Sequence, residues 1–214
     1  MSGFRLVLVD INETLCKELE EKFQQFPDVE VVNDRFENLS EFDCMVSAAN
    51  SFGLMDGGVD AAITKFFGAQ LQERVQQYII DHYEGEQPVG TSFIIKTNRR
   101  KHPYLAHTPT MRVPMPILRT DYCYSAMRAM LIAVKKHNEA AKESDQIKSV
   151  ACTGLGTFYG SMQYDEAARQ MALAYETFIE GPPKNIDWVY ARTRQMKIVY
   201  GGTSPATDQV PTKY

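Results

Sequence analysis

Two glycine-rich stretches, each set between a short apolar run and a helical pattern, constrain this chain more than anything else in it. The first is Asn50-Ser-Phe-Gly-Leu-Met-Asp-Gly-Gly58, after the apolar run 42–48. The second is Gly154-Leu-Gly-Thr-Phe-Tyr-Gly160, after the run 149–153. Glycine permits tight turns and close approach of the backbone to a ligand. A helix behind such a turn presents unpaired N–H groups and the positive end of its dipole. In an open α/β sheet, ligands sit at the carboxyl ends of the strands, where these loops would lie. One such junction is ordinarily a plain connection. Two in one short chain suit a diphosphate.

The surrounding pattern supplies such a sheet. Apolar runs at 4–9, 29–32, 42–48, 89–96, 104–108 and 149–153 read as strands, with a final candidate at 197–200. Helical spacing runs from Asn12 to Pro27, where Leu15, Leu19, Phe23 and Phe26 recur. It returns from Val59 to Phe67, again through Leu71, Val75 and Ile79, and in a long helix capped by Asp121. The last helix carries Ala168, Met171, Ala172, Tyr175 and Phe178, and Gly181-Pro-Pro183 ends it. Strands alternating with helices imply an α/β fold with helices on both sheet faces. The segment from Thr110 to Pro116 is punctuated by proline and expected to be irregular. The turn Asn98–His102 reads as solvated, and the last dozen residues as loose.

Length and charge narrow the partners. At 214 residues the chain accommodates one domain, with a core over about 4–180 and an extension over 181–214. A formal net charge of −4 and a pI near 5.6 argue against nucleic acid, which needs a basic face. Backbone amides can hold a small anion without one. Cys16, Cys44, Cys123 and Cys152 form no C-x-x-C pair, so neither zinc nor dithiol chemistry is expected. With no apolar leader or membrane span, a cytoplasmic setting is expected. Neither metal nor cofactor is expected.

The common phosphate motifs fit poorly. Three residues separate Gly156 from Gly160, one too many for a dinucleotide fingerprint, and the loop comes late in the chain. The first loop lacks the Lys-Ser/Thr ending of a P-loop.

A better match is Val46-Ser-Ala-Ala-Asn50 followed, after six residues, by Gly57-Gly-Val-Asp-Ala-Ala-Ile63. It resembles the Asn-Ala-Ala-Asn…Gly-Gly-Gly-Val-Asx-x-x-Ile signature of macro domains. Gly154–Gly160 with Ala167-Ala168 resembles the family's second phosphate loop. Val9-Asp10-Ile11 resembles its Gly-Asp-Ile turn, and Tyr104–Thr108 its strand ending in His. The resemblance implies a three-layer α/β/α fold with a central mixed sheet and an ADP-ribose cleft. Asp10 would accept from the adenine amino group, with the Ile11 amide facing the ring. Asn50 would bond the distal ribose. Gly57, Gly58 and Val59 would hold one phosphate through their backbones. Leu155, Gly156, Thr157, Phe158, Tyr159 and Gly160 would wrap the other, with Phe158 or Tyr159 over the distal ribose. Asp60 falls where some hydrolytic members carry an acidic catalytic residue, and Asn50 would assist it.

Local roles compete with several of these. Asp10 and Asn50 are also natural turn residues. Asp60 lies in a helical first turn that favours carboxylates in any case. His107 at a strand end is more often structural than catalytic. Arg112 is a candidate to reach phosphate. The sequence also departs from the family. Ser47 stands for the first Asn, Asp56 for the first glycine of the triplet, and the second loop is one residue longer. The expected activity is hydrolysis at the distal ribose of an ADP-ribose derivative. It would be a mono-ADP-ribosyl hydrolase, a related esterase, or a phosphatase acting on a terminal phosphate. The alternatives are a non-catalytic ADP-ribose reader, and an orphan nucleotide-binding or structural protein that has lost the ligand.

Overall fold

The computed structural model describes residues 3–202. Six strands form one mixed sheet: β1 (Arg5–Asp10), β2 (Val29–Asn33), β3 (Cys44–Asn50), β4 (Phe93–Lys96), β5 (Tyr104–Met111) and β6 (Ser149–Cys152). Their order is β2-β1-β6-β3-β5-β4, and all pairings are parallel except β4 with β5. The helices are α1 (Glu13–Phe23), α2 (Gly58–Phe67), α3 (Gln70–Tyr83), α4 (Tyr122–Ala140), α5 (Tyr164–Glu180) and α6 (Trp188–Ile198).

Successive strand side chains point to opposite faces, and the core divides accordingly. Leu6, Leu8, Cys44, Val46, Ala106, Val150 and Cys152 face a layer built from α1, α4 and α5. Val9, Met45, Leu105 and Ala151 face α2 and α3 through Ile63, Leu71, Val75 and Ile79. The sheet is thus buried on both sides, a three-layer α/β/α arrangement.

Four local expectations are corrected. β5 continues through Pro109 to Met111, so Thr110 is regular. Proline lacks the N–H a central strand uses, and the register slips there, from Ala49 opposite Pro109 to Asn50 opposite Met111. Residues 197–200 form no strand. They close α6 and enter a short 3-10 turn, Tyr200–Gly202. α6 buries no side chain and so lacks the apolar face by which a helix is read. It is capped by Asp187 accepting from Tyr190 N, and tied down by the Arg169 guanidinium donating to the Lys197 and Val199 carbonyls. Asp121 sits at the start of α4 but gives no side-chain cap. His102 is buried, bonding the Phe42 carbonyl through Nδ1, so the basic turn is solvated only in part. The expected loose tail lies outside the described residues.

Candidate functional site

The ends of β1, β6 and β3 lie side by side, so the loops that leave them open into one cleft of about 770 Å³. Asp10, Ile11 and Asn12 come from the end of β1. Gly154, Gly156, Thr157, Phe158, Tyr159 and Gly160 come after β6. Asn50, Leu54, Asp56, Gly57, Gly58, Val59 and Asp60 end β3 or come after it. Of the residues that the resemblance assigns to the site, Leu155 stays off the cleft wall. Its side chain is fully buried in the core, and its carbonyl accepts from the Cys123 thiol.

The first loop leaves the start of α2 open. Gly57 precedes the helix with no side chain to cap it, unlike Asn12, whose side chain accepts from Leu15 N at the start of α1. The first-turn N–H groups of α2 therefore have no side-chain partner and front the cleft, which suits an anion. Gly58 has φ +56°, a conformation side chains rarely adopt, and a Cβ there would meet the Phe158 ring at 3.4 Å. The aromatics of the second loop thus lie against the first. Phe158 and Tyr159 pack edge to face, 4.6 Å between centroids, and both remain exposed.

Asn50 organises the loop that it starts. Its Nδ2 donates to the Leu54 carbonyl at 2.7 Å, and its Oδ1 accepts from the Phe52 and Leu54 amides. Asp10 ties two segments together. Oδ1 accepts from Asn12 N at 3.0 Å and Oδ2 from Gly154 N at 3.1 Å. A carboxylate has about four acceptor positions, so both oxygens can still take a ligand donor. Ile11 beside it is exposed.

Asp60 is the chemically unusual group. It is 5% exposed, at the cleft wall, and its Oδ1 accepts from the Ser47 hydroxyl at 2.6 Å. Its other oxygen has no partner among the described residues. Burial pushes the carboxyl up to about 7, with Ser47 opposing that shift and the Asp56 charge adding to it. Asp60 therefore exchanges its proton near neutrality.

His107 is placed elsewhere. It lies fully buried within β5, bonded to Gln87 Oε1 at 2.6 Å and stacked on Phe93, and burial drives it down to about 3. Arg112 is also drawn away, into a 2.7 Å ion pair with Glu86. Sequence reasoning missed several wall residues. Tyr164 contributes a hydroxyl that accepts from Asn12 Nδ2. Residues 34–37 close the β2 end, where Asp34 accepts from Arg35 N and Asn38 Nδ2. That spacing of Asp and Asn was the available signal. Met111 and Pro114 close the opposite end.

Among the described residues, five lining side chains are acids (Asp10, Asp34, Glu37, Asp56 and Asp60) and one is a cation, Arg35. With one lining cation against five acids, the cleft's attraction for an anion comes chiefly from backbone N–H groups. No cluster among the described residues could hold a metal ion, and no helix among them is long and apolar enough to cross a membrane.

Comparison with known proteins places the fold. An uncharacterized protein of Aquifex aeolicus is 31% identical over 145 residues, 67% of this chain and 78% of the relative. A mutant of the Oceanobacillus iheyensis macrodomain, solved with ADPR, superposes with a TM-score of 0.57 at 20% identity, covering 70% of this chain and 77% of that one. The Trypanosoma brucei macrodomain in complex with ADP-ribose gives 0.51 at 18% identity, covering 84% and 59%. At these identities the structures speak to the fold alone. The Macro domain family model matches residues 46–171, more than half of the chain and inclusive of both glycine loops. The chain belongs to the macro-domain family.

Proposed function

We propose that this protein binds ADP-ribose along the cleft and hydrolyses a bond at the distal ribose. The observation that carries the reading is the line of groups from Asp10 to Asp60. A hydrogen-bond acceptor stands at one end, two glycine loops with open backbone donors flank the middle, and an acid near its working range stands at the other. Adenine sits at Asp10 and Ile11. The diphosphate lies between the start of α2 and the second loop, with Phe158 or Tyr159 over the distal ribose.

In the hydrolytic step, unprotonated Asp60 takes a proton from water. The water oxygen bonds to the anomeric carbon, and the acceptor leaves with the electron pair of the broken bond. A base acts best when its pKa lies near the operating pH, and burial puts Asp60 there. Backbone donors at the phosphates hold the ribose in place while charge develops.

A non-catalytic reader is the second reading, favoured by Asn50, whose amide is already engaged within its own loop. Calorimetry with ADP-ribose tests binding, and absence of heat up to millimolar ligand overturns both readings. Incubation with a mono-ADP-ribosylated protein tests turnover. Release of free ADP-ribose, lost in Asp60→Asn, supports the hydrolase; release that survives the substitution removes Asp60 from the mechanism.

A further inference from the structure

The charges along the cleft are distributed unevenly. Among the described residues its one lining cation, Arg35, comes after β2, whereas Asp56 and Asp60 come after β3. Two strands, β1 and β6, lie between. Arg112 at the end of β5 is spent on Glu86. Asp56 is exposed to the cleft and has no ion-pair partner among the described residues. The start of α2, the other source of positive potential, is occupied by the diphosphate once the ligand is bound.

We propose, resting on the reading that ADP-ribose binds with its distal ribose towards α2, that Asp56 is a specificity residue of this site. It repels ligands whose distal ribose carries an anionic group and admits those whose acceptor is uncharged or cationic. A phosphomonoester brings a charge of about −1.5 to −2 at neutral pH. Placed at the distal ribose it meets the Asp56 carboxylate, and among the described residues neither the loop after β3 nor the loop after β6 lines the cleft with a cation. An amide or ester acceptor meets no such repulsion, and a guanidinium acceptor is attracted. Among the reactions open to the fold, this favours release of ADP-ribose from a side chain over removal of a terminal phosphate.

The test is calorimetry on the full chain at low salt, with three ligands: ADP-ribose, ADP-ribose phosphorylated at its distal anomeric oxygen, and ADP-ribosylarginine. The phosphorylated ligand is expected to bind at least about tenfold more weakly than ADP-ribose, and ADP-ribosylarginine at least as tightly. Asp56→Asn should bring the phosphorylated ligand within about threefold of ADP-ribose, as should raising the salt. Equal or tighter binding of the phosphorylated ligand by the unaltered protein overturns the proposal. So does a discrimination that Asp56→Asn leaves intact. If ADP-ribose itself fails to bind, the underlying reading falls and this inference with it, an outcome distinct from equal binding of all three ligands.

Discussion

The Ser47 hydroxyl donates a 2.6 Å hydrogen bond to Oδ1 of Asp60, joining a buried position on β3 to the first turn of α2. Ser47 thereby bears on the acidity of a buried carboxyl at the cleft. Burial alone would raise Asp60 further, and the hydroxyl moderates that rise.

Turnover should therefore track the unprotonated fraction of Asp60. The rate constant is expected to rise about tenfold per pH unit below pH 7 and to level off above it. Ser47→Ala removes the moderating bond, so the midpoint should move to higher pH. A profile measured under saturating substrate checks this, and an unmoved midpoint in Ser47→Ala contradicts it.

Asp60 and His107 should oppose each other in the dependence of stability on pH. Asp60 is raised from 3.8 to about 7, so the folded state holds its proton longer. Its contribution is greatest below pH 3.8 and is lost as pH rises to about 7, on the order of 4 kcal/mol in all. His107 is lowered from 6.5 to about 3, so its contribution is present above pH 6.5 and lost as pH falls, on the order of 5 kcal/mol. Between about pH 4 and 6.5 the two slopes cancel. Urea unfolding should show that Asp60→Asn leaves a stability that rises with pH in this window. His107→Gln should leave one that falls.

Asp10→Ala should cost both binding and stability. The carboxylate accepts from Asn12 N and Gly154 N, so its loss strands two donors and frees the second loop. A stability loss of about 1–3 kcal/mol is expected, with ADP-ribose affinity falling about tenfold or more through the lost adenine contact. Denaturation and calorimetry on the same sample separate the two effects.

Gly58→Val should block the site. A β-branched side chain at φ +56° is strained by about 1–3 kcal/mol, and its Cβ would already reach van der Waals contact with the Phe158 ring before its two methyl groups are placed. ADP-ribose binding should be lost to calorimetry while far-UV circular dichroism stays that of the parent. Retained affinity would show that the start of α2 is not where phosphate sits.

The sheet was legible because its strands are short apolar runs separated by glycine or by strong helical spacing. α6 was not, because a helix that buries no side chain has no periodic apolar face. Val199 and Tyr200 then read locally as a strand. The tie that holds this segment, Arg169 to two backbone carbonyls, depends on residues 28 and 30 positions apart. At the site, the glycine loops announced themselves, but the partners of their side chains did not. Nothing in the sequence says that Arg112 is taken by Glu86 or that Ser47 meets Asp60. Both pairings are made by the packing of separate elements.

The Asp10–Gly154 bond spans 144 residues of chain, and the loop after β3 enters the same cleft from the middle of the sequence. No fragment ending before Gly154 could assemble the site, and local unfolding of any of the three strands would dismantle it. An occupant of the cleft would act as a clasp across the early, middle and late thirds of the polypeptide. Its binding energy would then add to the stability of the whole fold, so that melting temperature itself becomes a gauge of occupancy.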